Sequence, residues 1–98
     1  MYRAKWNDII IAEANDDEIF TLEGNRYFPE SALKKEYFKE SSNTYQCPWK
    51  GMANYFDIII GQETNPDAAW VYRAPSDAAS EICGMYGFWN GVVIEHVS

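Results

Sequence analysis

Ala53-Asn54-Tyr55-Phe56-Asp57-Ile58-Ile59-Ile60 is the stretch on which the fold turns. Aromatic and β-branched side chains dominate it, and Phe56, Ile58 and Ile60 fall on one face at a period of two, which is the pattern of a strand. Downstream, Gly61 to Pro66 reads as a loop and Ala68 to Tyr72 as a further short strand. Upstream, the polar run Glu40 to Thr44 reads as a loop delivering the chain to Cys47. Pro29 to Phe38 has room for a helical turn or two, since proline suits a helix start. Ser76 reads as the N-cap of a short helix through Ile82, with Asp77 in its first turn.

The two ends extend the same texture. Tyr2, Ala4 and Trp6 alternate with Arg3 and Lys5 as a half-buried strand does, and Ile9 to Ala12 is an apolar return after the Asn7-Asp8 turn. Asn15-Asp16-Asp17 makes the next turn, before a strand from Glu18 to Glu23. Gly24-Asn25 then closes a hairpin onto Arg26-Tyr27-Phe28, giving an antiparallel meander. Asn90-Gly91, between Met85–Trp89 and Val92–Val97, supplies the positive φ angles of a type I′ hairpin turn. With no linker, repeat or low-complexity tract, residues 1–98 read as one domain. The expected class is α+β and mostly β. Six to seven short antiparallel strands form a curved sheet, partial barrel or sandwich, with one or two short helices.

Composition narrows the function classes. Aromatics make up 16 % of the chain, enough to supply a small core and to leave rings for a pocket or an interface. A formal charge of −7 disfavours phosphate backbones, and the one basic cluster, Lys34, Lys35 and Lys39, is interleaved with Glu36 and Glu40. Nucleic acid is therefore not an expected partner. No apolar run approaches the roughly 18 residues of a membrane helix, and no signal segment follows the N-terminal charges. The expectation is a cytoplasmic protein, monomer or homodimer, with Cys47 and Cys83 as reduced thiols.

Cys47-Pro48-Trp49-Lys50-Gly51 is the densest chemistry in the chain. Cys47 is a candidate nucleophile if Lys50, three residues on, lowers its pKa; the plainer reading is a small buried hydrophobe. Lys50, held among aromatics, would be partly desolvated, which strengthens contact with an anion and can lower its own pKa. The plainer reading there is a surface lysine covering Trp49 with its methylene stem. Cys47, Cys83 and His96 form no close pair and fall short of a structural zinc set, so no metal and no cofactor are expected. No Gly-rich phosphate loop is present, and Gly84, Gly87 and Gly91 lack the dinucleotide spacing.

Glu23, Tyr27-Phe28-Pro29, Ser42, Cys47-Pro48-Trp49-Lys50-Gly51 with Ala53 and Tyr55, Ala68-Ala69-Trp70 with Tyr72 and Pro75, and Phe88 follow one another in an order that resembles the domain of unknown function 427 family. The likeness covers nearly the whole chain. It implies a small, mostly β protein in its short standalone form, with no assigned activity. An older label of that family hints at nucleotidyl transfer, but this chain lacks a Gly-Ser signature with an Asp-x-Asp metal pair. Arg73-Ala74 departs from the family pattern, which often has Pro or Asp before its proline. The resemblance joins Glu23, Tyr27, Lys50, Tyr55, Trp70 and Tyr72 into one candidate polar–aromatic pocket.

Three readings follow. The first is a binding module for a small anionic or planar ligand, held by Tyr27, Lys50, Tyr55, Trp70 and Tyr72. The second is an enzyme with Lys50 as electrophile or base, Glu23 as its partner and Cys47 as nucleophile. The third is a protein-interaction or homodimerisation domain using exposed aromatics.

Overall fold

Strand formation dominates residues 1–98, all of which the computed structural model describes. The strands are β1 (Tyr2–Trp6), β2 (Ile9–Ala14), β3 (Phe20–Leu22), β4 (Asn25–Tyr27), β5 (Phe38–Cys47), β6 (Gly51–Ile60), β7 (Glu63–Tyr72), β8 (Tyr86–Phe88) and β9 (Val93–His96). They form three antiparallel sheets, ordered β2-β1-β9, β3-β4 and β5-β6-β7-β8. Nine strands thus replace the expected six to seven. Only 3-10 turns occur between them, at Asp16–Glu18, Glu30–Ala32, Lys35–Tyr37 and Asp77–Ile82, so the expected short helices are absent as α-helices.

The strand at 53–60 is the heart of the largest sheet. Ile58 is fully buried, and Phe56 and Ile60 pack with it against Ala4, Ile11 and Ala12 of the three-stranded sheet and Ala69, Val71 and Phe88 of its own. Phe28, completely buried, packs edge-on to Phe88 at 5.5 Å between ring centroids. The opposite face of the four-stranded sheet carries Ala53, Tyr72 and Cys47, covered by Tyr27, Ala79 and Ile82. Part of that outer face stays uncovered, and there the site lies.

Four expectations change. Glu40 to Thr44 is not a loop but the middle of β5, whose polar side chains suit an edge strand facing solvent. Its pairing with β6 slips between Glu40 and Thr44. Residues 63–66 belong to β7, and Pro66 is accommodated where the β6–β7 register shifts, beside Asp67 at φ 52°. The Asn90-Gly91 turn has the expected positive φ angles, 51° and 85°, yet it closes no hairpin. β8 pairs with β7 and β9 with β1, so the turn carries the chain from one sheet to another. Likewise, the N-terminal meander breaks after β2: β3 pairs only with β4, through a turn at Glu23-Gly24 rather than Gly24-Asn25.

Candidate functional site

A single turn builds the centre of the site. Cys47 stands opposite Gly51 at the mouth of the β5–β6 hairpin, with Pro48, Trp49 and Lys50 forming the connection. Gly51 adopts φ 114°, and a Cβ there would lie 3.4 Å from the Ala74 carbonyl, so glycine permits both the turn and the close approach. Ser76 ties the turn down from the other side. Its N–H donates to the Lys50 carbonyl at 2.8 Å, and its hydroxyl donates to the Trp49 carbonyl at 2.6 Å. The hydroxyl therefore braces the turn instead of capping the residues that follow it.

This bracing directs Lys50 inward. The residue is only 8 % exposed, and its Nζ pairs with a Glu23 carboxylate oxygen. Nζ also lies 5.5 Å from the Trp49 ring centre and 5.4 Å from that of Tyr72, between two electron-rich faces. Burial disfavours the charged form, but the hydrogen bond to Glu23 and the Glu23 charge prevail and raise the Lys50 pKa. Lys50 is thus a held cation and a hydrogen-bond donor, its pKa moved up and not down. Glu23 sits at the β3–β4 turn with φ 53°, and the Lys50 hydrogen bond holds its carboxyl below the usual range.

Tyr45, Lys50, Ala53, Tyr55, Trp70, Tyr72 and Trp89 line a pocket of about 150 Å³ on this face. Strand register explains the grouping, since Tyr45 opposes Ala53, Ala53 opposes Tyr72, and Tyr55 opposes Trp70. Trp70 in turn opposes Gly87, where a Cβ would come within 2.6 Å of the indole, so the ring lies across β8 because that position is bare. Trp89 stacks on Tyr55 at 6.4 Å and 18°, and its Nε1 donates to the Asp67 carbonyl at 2.5 Å. Burial, then Asp67, pushes the Tyr55 pKa up.

Of the residues singled out from sequence, Lys50, Tyr55, Trp70 and Tyr72 line the pocket. Glu23 reaches it through Lys50. Tyr27 does not line it: fully buried beneath, its hydroxyl oxygen accepts a hydrogen bond from Trp70 Nε1 at 3.3 Å, with the two rings edge-on at 6.2 Å. Sequence reasoning missed Tyr45, Ala53 and Trp89. Tyr45 and Ala53 were legible as alternate neighbours of Cys47 and Gly51; nothing local marked Trp89.

Cys47 packs against Ala53 and Tyr72 and is 6 % exposed. Burial raises its pKa. The backbone N–H groups of Trp49 and Lys50, the Lys50 charge and the Tyr72 hydroxyl outweigh that and bring the thiol below its ordinary value. Cys83 is free and exposed, its Sγ donating to the Arg73 carbonyl at 3.4 Å. His96 lies elsewhere, 2.9 Å from an Asp16 carboxylate oxygen. No three His, Cys, Asp or Glu side chains converge on a common point. Arg73, where the sequence departs from the resembled pattern, grips Glu40 through both guanidinium arms at 2.9 Å.

The family model described as "Domain of unknown function (DUF427)" matches residues 1–98. The chain belongs to this family. No curated protein matches the chain. For this DUF427 chain the function must come from the site itself. What the site offers is a charged donor at the edge of an aromatic recess, beside a thiol with unusual partners.

Proposed function

We propose that this DUF427 protein is a binding module that takes a small planar ligand into the aromatic pocket, with an anionic or carbonyl edge turned to Lys50. The observation that carries this reading is a nearly buried ammonium on the wall of a recess otherwise lined by Tyr45, Ala53, Tyr55, Trp70, Tyr72 and Trp89. A desolvated lysine surrounded by rings gives orientation, and the rings give contact area. Size restricts the class. A cavity of about 150 Å³ holds roughly one benzene-sized ring, well below the ~300–1,000 Å³ of drug-sized sites. Any larger ligand would project from the open side past Tyr45 and Trp89, each 49 % exposed.

Glu23 sharpens the expectation. It already neutralises much of the Lys50 charge, so a bare small anion gains little, whereas a ring with a carboxylate or carbonyl edge adds stacking to the remaining Lys50 hydrogen bonds. Calorimetric titration with single-ring carboxylates, benzoate and nicotinate among them, tests this. Replacing Lys50 by Met removes a charge-assisted hydrogen bond of about 1.5–3 kcal/mol, a loss of roughly 10- to 100-fold in affinity. Unchanged binding by Lys50→Met would place the ligand elsewhere.

A further inference from the structure

Lys50 does not stand alone at the edge of the recess. Its Nζ is paired with a Glu23 carboxylate oxygen, and the two groups arrive from different sheets. Lys50 comes from the turn between β5 and β6, Glu23 from the turn between β3 and β4. Neither group is exhausted by the pair. An ammonium has three N–H donors, of which Glu23 takes one. A carboxylate has about four lone-pair sites, and Lys50 and the Trp49 indole use only part of them. The Lys50 side chain is 10 % exposed and that of Glu23 is 47 % exposed, so the donor is fixed in the wall while the acceptor keeps an open side. A ligand atom that accepts from Nζ is thereby brought beside an acceptor.

The surrounding charges have the same bias. Lys50 is the only cation lining the recess. Against it stand Glu23 and, on the Tyr55–Trp89 side, Asp67, whose carbonyl accepts from Trp89 Nε1 and whose charge is felt by Tyr55. A carboxylate ligand reaching Lys50 has Glu23 alongside, and like charges that share a site repel. An uncharged amide escapes this. Its carbonyl accepts from Lys50 while the N–H on the neighbouring atom donates to Glu23, and both bonds are charge-assisted. We propose, building on the planar-ligand reading above, that the recess selects an aromatic ring with an amide edge, a carboxamide or a ring lactam, Lys50 reading its carbonyl and Glu23 its N–H. Glu23 is then the residue that chooses between an amide and a carboxylate of the same shape, and the rings of the recess choose the size.

Nicotinamide and nicotinate share a ring and differ only at this edge, as do benzamide and benzoate. Calorimetric titration of wild type, Glu23→Gln and Lys50→Met with both pairs at pH 7 separates the contributions. Wild type should bind each amide about tenfold or more tighter than its carboxylate, since one hydrogen bond to a charged group is gained and one repulsion avoided. Glu23→Gln keeps the shape, removes the charge and frees Lys50 for an anion, so the carboxylates should gain and the order should level or reverse. Lys50→Met should weaken both members of each pair. A carboxylate that binds wild type as tightly as its amide, with Lys50→Met still weakening it, overturns the amide assignment and leaves the planar-ligand reading standing. An amide preference that Glu23→Gln leaves unchanged does the same. Failure of all four probes to bind, or binding indifferent to Lys50→Met, overturns both.

Discussion

Lys50 and Glu23 set the electrostatics of the site, and their titration has a definite sign. The folded state binds the Glu23 proton less tightly than the unfolded chain, whose ordinary value is near 4.5. The pair's contribution to stability is therefore complete above that value and fades as the pH falls through the lower folded value. Urea midpoints of wild type and Glu23→Gln should differ at pH 7, and the gap should narrow as the pH falls below 4.5. A gap that does not change with pH would mean that Glu23 acts through packing and not through its charge. Tyr27 gives a second prediction. Tyr27→Phe keeps the buried ring but leaves Trp70 Nε1 without its acceptor, at a cost of about 1–3 kcal/mol in urea unfolding. Because Tyr27 orients Trp70 from beneath, the same change should alter near-ultraviolet circular dichroism.

At the level of elements, the hairpin joining β5 and β6 and the bare Gly87 position on β8 are the two devices that create the recess. Gly51 and Gly61 begin and follow the same strand, yet they should respond differently to alanine. Gly61, at φ 61° in open space, faces only the left-handed penalty of about 1–2 kcal/mol. Gly51, at φ 114° and close to the Ala74 carbonyl, should lose more and disturb the Cys47–Lys50 turn as well. Equilibrium unfolding of the two variants compares them directly. Gly87→Ala on β8 should push the Trp70 indole out of its place, since a 2.6 Å approach cannot be relieved without moving one of them. Overpacking of this sort costs about 1–3 kcal/mol, and tryptophan fluorescence should report the displaced ring.

At the level of the whole molecule, local patterns were legible where one side chain in two met the core. Phe56, Ile58 and Ile60 announced their strand because burial alternates along it. β5 concealed itself, since an edge strand with its side chains in water has no apolar alternation to read. Asn90-Gly91 shows the limit of turn chemistry: the dihedral angles followed from the residues, while the strand partners depended on sheet closure through β1 and β7. Trp89 was missed for the same reason, because its stacking on Tyr55 exists only once β8 docks beside β7. Lys50 was legible as a residue of interest through its neighbours Trp49 and Cys47. Its Glu23 counter-ion comes from a hairpin 27 residues away, and that partner reversed the direction of its titration.

The claim that organises the site is that its aromatic recess receives a planar ligand whose polar edge meets Lys50. Two-dimensional NMR of the four tryptophan indole N–H signals, titrated with the panel of single-ring carboxylates, tests it most directly. Binding at the proposed place shifts Trp70 and Trp89, leaves Trp6 on β1 unmoved, and weakens by roughly 10- to 100-fold in Lys50→Met. Trp70 and Trp89 signals that stay fixed across the panel, or that shift equally in Lys50→Met, would contradict it.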